Sequence, residues 1–175
     1  KKLNMSKKNS NVNLKNGFKD FKDLSNIFFN FKKKLNKLNK KSYVIAVSGG
    51  PDSLALVALA KAYNYEKKTK FYYVLINHNI RKNSGKEAKQ VKNLLKKNKI
   101  ILKIISNKKK ISRNIQGQAR NIRYKMLVNY CKVKKSNTIL TAHNLEDQVE
   151  TFFIRLSRGS GLKGLSAMKP LSKLA

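Results

Sequence analysis

The chain predicts an α/β protein built on a doubly wound parallel sheet, and three observations say so. From about residue 41 onward, short runs of strand-forming apolar residues alternate with segments of helical periodicity. The runs are apolar throughout instead of alternating with polar residues, as strands covered on both faces are. The first run passes through a glycine-rich turn straight into a helical pattern, as a tight strand-to-helix connection requires.

Taken in order, residues 1–17 are polar and Lys/Asn-rich and predict a disordered basic segment. Over residues 18–40, Phe18, Phe21, Leu24, Phe28, Phe31, Leu35 and Leu38 recur at helical spacing. Such a basic amphipathic helix could lie on RNA or on a membrane; packing against the domain is the preferred reading. Strands are predicted at Tyr43–Val47, Phe71–Asn77, Ile100–Ile105 and Thr138–Thr141. Helices are predicted at Asp52–Ala62, Lys86–Asn98, Gln116–Val133 and Leu145–Ser157. Strands separated by helices in this way bury the sheet on both faces through right-handed crossovers. A strand order of 3-2-1-4 would make the first and fourth strands neighbours at the switch point, where such folds bind ligands. One domain is expected over residues 41–170, with 171–175 opening a further region.

Composition narrows the functional classes. The 175 residues are 41% hydrophobic, enough for one domain with a core. No apolar stretch approaches a membrane span, and no secretory signal is present. The lone Cys131 excludes an internal disulfide and any two-cysteine metal or redox motif, so a reducing cytoplasm is the expected compartment. A net charge of +33, from 41 basic and 8 acidic residues, favours a polyanionic partner such as RNA or DNA. Abundant Lys, Asn and Ile are also what an AT-rich genome produces, so the charge names no particular partner. The acids say more, because Glu146, Asp147 and Glu150 crowd into five residues and Asp52 lies in the glycine turn.

That turn, Ser48-Gly49-Gly50-Pro51-Asp52-Ser53, has the makings of a pyrophosphate cradle. Two glycines let the backbone approach a ligand, and Pro51 fits a first helical position, where its missing N–H costs nothing. The helix N-terminus then directs N–H groups and positive potential at an anion, with Ser48 and Ser53 as additional hydroxyl donors. The absence of a Walker A lysine argues against a γ-phosphate-transferring P-loop. An ordinary glycine-rich turn is the bland alternative.

A second constellation runs from Thr141 to Thr151, off a strand end and into a helix. Leu145, Val149, Phe152, Phe153 and Leu156 form its apolar stripe, and Asp147 and Glu150 share the opposite face. Two carboxylates beside bound phosphates suit Mg²⁺. Helix capping explains Asn144, Glu146 and in part Asp147, but neither Glu150 nor His143. Ile76 to Arg81 ends the second strand beside the cradle, and its His78 is weak evidence by itself. Arg113, Arg120 and Arg123 are half of the six arginines in a lysine-dominated chain, which suggests bidentate contacts to phosphate or carboxylate; solvated arginines are the alternative.

The turn SGGPDS at 48–53 resembles the PP-loop of ATP pyrophosphatases. With NHNIR at 77–81, NIQGQARNIRY at 114–124 and TAHNLEDQVETFFIRLSRGSGLKGL at 141–165, the chain resembles the tRNA(Ile)-lysidine synthetase family. Glu146 departs from that family, which usually has aspartate there. The resemblance implies a Rossmann-like domain of the adenine nucleotide alpha hydrolase type and an ATP-dependent carbon–nitrogen ligase. ATP would adenylylate the wobble cytidine of a tRNA-Ile with a CAU anticodon, and L-lysine would then displace AMP at C2. It implies nucleotide binding by Ser48, Gly49, Gly50, Pro51, Asp52, Ser53 and His78. Mg²⁺ would fall to Asp52, Asp147 and Glu150, and catalysis to Asp52, Asp147, Arg120, Arg123, His143 and Glu150. Proton handling is assigned to Asp147, with Glu150 or His143 as alternatives. No membrane partner is expected, and a homodimer is one assembly open to it. Family members continue into further domains that grip the tRNA, so a catalytic-domain fragment is expected. The rivals are another PP-loop tRNA-modifying enzyme, an amide-forming ligase, or a non-catalytic RNA-binding domain.

Overall fold

The computed structural model describes residues 22–107 and 115–142. Four strands form one parallel sheet in the order β3-β2-β1-β4, as the sequence predicts. They are β1 (Ser42–Ala46), β2 (Lys70–Asn77), β3 (Leu102–Ser106) and β4 (Ile139–Leu140). The helices are α1 (Lys22–Leu38), α2 (Pro51–Glu66), α3 (Ser84–Lys97) and α4 (Ile115–Val133). The predicted segment 1–17 and the predicted helix Leu145–Ser157 lie outside the described residues.

Strand alternation divides the core between the two faces of the sheet. Ile45, Val47, Leu75 and Leu102 pack with Val57 and Ala60 of α2 and with Ala88 and Leu95 of α3. Val44 and Val74 point the other way, against Leu127 and Cys131 of α4. Both sides of β1 and β2 are therefore dry, which is why these strands carry no polar alternation. Because α2 and α3 cover one face and α4 the other, the winding reverses between β1 and β4, and a crevice opens at their carboxyl ends.

Helix α1 packs on the domain, the preferred of its two readings. Leu35 is 2% exposed and joins Tyr43 and Tyr63 in a cluster with Phe28, Phe31 and Phe71. The rings interlock: Tyr43 stacks on Phe71, and Tyr63 meets Phe31 and Phe71 edge-on. Polar ties close the joint. The Tyr43 hydroxyl donates to the Leu35 carbonyl, the Tyr63 hydroxyl to Asn36 Oδ1, and Lys32 pairs with Glu66.

One boundary moves for a definite reason. Ile100 is predicted to open β3, but its N–H bonds the Leu95 carbonyl, while Lys99 at φ 56° bonds Lys96. These are the two hydrogen bonds of a Schellman cap, and Ile100 supplies its apolar contact to Leu95. The helix end thus claims a residue whose side chain looks like strand.

Candidate active site

The turn after β1 is built around one buried hydroxyl. Ser53, 4% exposed, accepts N–H bonds from Ser48 (3.3 Å) and Gly49 (3.1 Å) and donates to the Gly50 carbonyl (2.9 Å). The Ser48 hydroxyl also reaches Ser53 Oγ, at 3.1 Å. Ser53 is predicted as a ligand donor; its proton is instead engaged within the loop, where it fixes the loop's curvature. Gly49 sits at φ 92°, and a Cβ there would meet Val91 Cγ2 of α3 at 2.8 Å. Both backbone angle and close packing therefore require glycine. Gly50 is the N-cap of α2 in extended conformation, and Pro51 occupies the first helical turn as predicted. Gly50 offers no side chain to cap the helix, and Asp52 is the acidic residue of its first turn, where the dipole favours negative charge.

The turn borders a cleft of about 810 Å³ at the carboxyl ends of the strands. Ser48 and Ser53 line it, together with His78, Arg81, Arg120, Arg123 and Tyr124, and with Thr141 and Ala142 past β4. Three separate predicted stretches therefore meet: the glycine turn, the end of β2, and the arginines of α4. Asp52 stands exposed in the first turn of α2, outside the residues that line the cleft. His143, Glu146, Asp147 and Glu150 lie outside the described residues; the chain reaches Ala142 on the wall of this cleft just before them.

All three arginines among the described residues line the cleft, and no lysine there does. Arg81 is paired with Glu87 at 2.8 Å, whereas Arg120 and Arg123 have no carboxylate partner among the described residues. Their guanidinium carbons lie 5.5 and 5.8 Å from the centre of the Tyr124 ring. Burial lowers the His78 pKa, and the nearby Arg123 charge lowers it further, so the imidazole is neutral near pH 7. Its Nδ1 is buried with no hydrogen-bond partner among the described residues. A buried ring nitrogen and two guanidinium groups, none with such a partner among the described residues, suit a ligand carrying both anionic and hydrogen-bonding groups.

Two features of the site escape sequence reasoning. The loop after β2 is set by Asn77, which accepts the Asn79 N–H at 3.0 Å, while Asn79 at φ 55° donates to the Asn107 carbonyl at 2.8 Å. The Asn-x-Asn spacing signals such a turn. Tyr124 is the second, and its signal is the Arg–Tyr spacing of four on a helix.

An adenine nucleotide fits what is present: glycines that open the turn, an uncapped helix N-terminus and paired guanidiniums. For Mg²⁺, the described lining offers one carboxylate, Glu87, already held by Arg81. Ligands for a cation must come from outside that lining, and Asp52, Asp147 and Glu150 are the residues available by the sequence reading.

Fold and cleft together define a doubly wound α/β domain with an arginine-lined crevice at its switch point. The chain matches the PP-loop domain family over residues 24–175, and it belongs to that family. It is 44% identical over 126 residues to a tRNA(Ile)-lysidine synthase of Orientia tsutsugamushi (strain Boryong), covering 70% of this chain and 28% of that protein. A tRNA(Ile)-lysidine synthase of Wolbachia pipientis wMel is 43% identical over 129 residues, 71% of this chain and 30% of the other. The chloroplastic enzyme of that name from Gracilaria tenuistipitata var. liui is 38% identical over 144 residues, 79% and 43% of the two chains. The chain thus spans between about a quarter and less than half of the length of these relatives. Among solved structures, the U34-tRNA thiolase of Methanococcus maripaludis superposes with a TM-score of 0.61 at 20% identity, over 79% of this chain and 52% of that one. That likeness shows the shared fold.

Proposed function

We propose that the chain is the ATP-using catalytic part of a tRNA(Ile)-lysidine synthase, with residues 41–170 as its PP-loop domain. The observation that carries this is the convergence in one cleft of the glycine turn, the two arginines without a carboxylate partner among the described residues, and the strand end that leads into the acidic segment. The similarity to relatives bearing that name over 70% or more of this chain supports it.

In this reading Gly49 and Gly50 admit the β- and γ-phosphates against the N-terminus of α2, where backbone amides receive negative charge. Arg120 and Arg123 receive charge that builds on the departing pyrophosphate. The wobble cytidine of a tRNA-Ile with a CAU anticodon attacks the α-phosphate through O2, and the lysine amine then forms the C2–N bond as AMP leaves. Freeing that amine of its proton at pH 7, from a pKa of ~10.4, costs roughly 4.6 kcal/mol. Asp147 is assigned to take it, with Glu150 or His143 as the alternative. Mg²⁺, held by Asp52, Asp147 and Glu150, would supply charge neutralisation along the phosphates.

Mass spectrometry of the tRNA after incubation with ATP, Mg²⁺ and L-lysine tests the whole scheme. The expected product is a mass gain at the wobble base that requires both ATP and lysine. Incorporation from ammonia or a sulfur donor in place of lysine would reassign the enzyme. Asp52→Ala and Asp147→Ala should each stop AMP release with the circular dichroism spectrum unchanged; wild-type rates in both would remove their roles. A thiolating enzyme is disfavoured within this chain, since Cys131 is buried among Val44, Val74 and Leu127, away from the cleft, and burial raises its thiol pKa.

A further inference from the structure

Arg120 and Arg123 lie three residues apart on α4, so their side chains are neighbours of like charge. Neither is neutralised by a carboxylate among the described residues, and the neutral imidazole of His78 adds no opposing charge. Two long, flexible cations in this situation should drift apart into solvent. Instead both guanidiniums lie at one aromatic ring, 5.5 and 5.8 Å from its centre. That ring, Tyr124, is itself fixed. It is half-buried and packs against the cluster of Val44, Val74, Leu127 and Cys131 beneath the sheet. Its position is thus set by the hydrophobic core, and it transmits that position to the arginines. Lysine would be a poorer guest, because a planar guanidinium both associates with an aromatic ring and keeps its N–H fork pointing outward.

We propose that Tyr124 is the positioning residue of the cleft: an aromatic post, anchored in the core, that holds Arg120 and Arg123 together as a preformed receptor for a phosphate-ester or pyrophosphate anion. This rests on the nucleotide-binding reading above but assigns a task to a residue that touches no phosphate itself. The gain is in preorganisation, since two guanidiniums already gathered lose less freedom when the anion arrives. The bound anion also relieves the repulsion between them, so the arginines and the anion hold each other once together.

The test uses the full chain and inorganic pyrophosphate, read by titration calorimetry, so that no tRNA chemistry is needed. Tyr124→Leu keeps apolar bulk but removes the ring and should weaken pyrophosphate binding by about tenfold. Tyr124→Phe keeps the π-face and should bind within about twofold of wild type. In an Arg120→Ala/Arg123→Ala background, Tyr124→Leu should cost nothing further, because the residue it acts through is gone. Wild-type affinity in Tyr124→Leu would overturn the proposal. So would equal losses in the Phe and Leu variants, which would assign the phenolic hydroxyl instead, or an undiminished effect in the double-alanine background. Loss of the folded state in Tyr124→Leu is separated from this by the Phe variant and the cycle. Failure of the wild-type chain to bind pyrophosphate would sink both readings. Normal pyrophosphate binding with no lysine transfer to tRNA would sink only the assigned reaction.

Discussion

The two ends of the parallel sheet handle positive charge in opposite ways. At the carboxyl end, the cleft is lined by Arg81, Arg120 and Arg123 and by no lysine among the described residues. At the amino end, a hollow of about 480 Å³ is bordered by Lys40, Lys41, Lys132 and Lys135 and by no arginine among them. Left-handed backbone does not separate the ends by residue type alone: Asn39 at φ 44° and Lys135 at φ 51° border the amino-end hollow, while at the carboxyl end Asn79 at φ 55° lines the cleft and Gly49 at φ 92° lies in the turn beside it. The amino end only has to close: Ser136 donates to the Ser42 carbonyl, and Tyr43 bridges to the end of α1. Cations there complement the carboxyl ends of α1 and α4, a task lysine performs as well as arginine. Among the described residues, then, arginine gathers at the carboxyl end of the sheet and lysine at the amino end.

The largest effect expected from this contrast is at Gly49. Gly49→Ala forces a Cβ into a φ of 92° and places it 2.8 Å from Val91 Cγ2. Destabilisation of about 2 to 4 kcal/mol in urea unfolding is expected, with ATP binding lost. Adding Val91→Ala should restore the packing part of that loss and leave the backbone part. A Gly49→Ala variant that binds ATP normally would show that the turn is not the cradle.

Ser53→Ala comes next. Its hydroxyl accepts from two amides and donates to the Gly50 carbonyl in a site that is 4% exposed. Removing it leaves those groups without their partner and should cost about 1 to 3 kcal/mol, with weaker nucleotide binding from a loosened loop. A cleaner division of the two ends comes from exchanging their cations. Arg120→Lys and Arg123→Lys should each weaken ATP binding about tenfold, whereas Lys132→Arg at the amino end should leave it unchanged. Equal effects at both ends would erase the distinction.

Much of this was legible beforehand, and what was not has physical causes. The strand order and the place of the glycine turn at the crevice follow from alternating apolar runs and from where a doubly wound sheet reverses, whereas the α4 arginines are expected at phosphate from their residue type and the family resemblance, and the structure brings them to the same cleft. The direction of a hydroxyl does not follow. Ser53 occurs in a sequence that suits a phosphate loop whether it turns outward to a ligand or inward to its own backbone, and it turns inward. Ile100 has the sequence signature of a strand residue because apolar β-branched side chains look alike in a strand and at a helix cap. Lys99 gave no warning, since a lysine at φ 56° occupies a position usually marked by glycine.

That last point supplies the smallest and most discriminating prediction. Lys99 and Lys135 each sit at the left-handed position of a Schellman cap, where a Cβ is unfavourable and glycine is relaxed. Lys99→Gly and Lys135→Gly should therefore stabilise the fold by about 0.5 to 1 kcal/mol each, the relief of the strained conformation exceeding the greater freedom glycine has when unfolded. The same residue change thus has opposite value from the cleft's reversed case, Gly49→Ala, because φ decides the sign in both. Nucleotide affinity should stay constant through Lys99→Gly and Lys135→Gly, since neither position lines the cleft. A loss of stability in both glycine variants would mean that the lysine side chains contribute more to these caps, through the dipoles of α3 and α4, than their backbone strain removes.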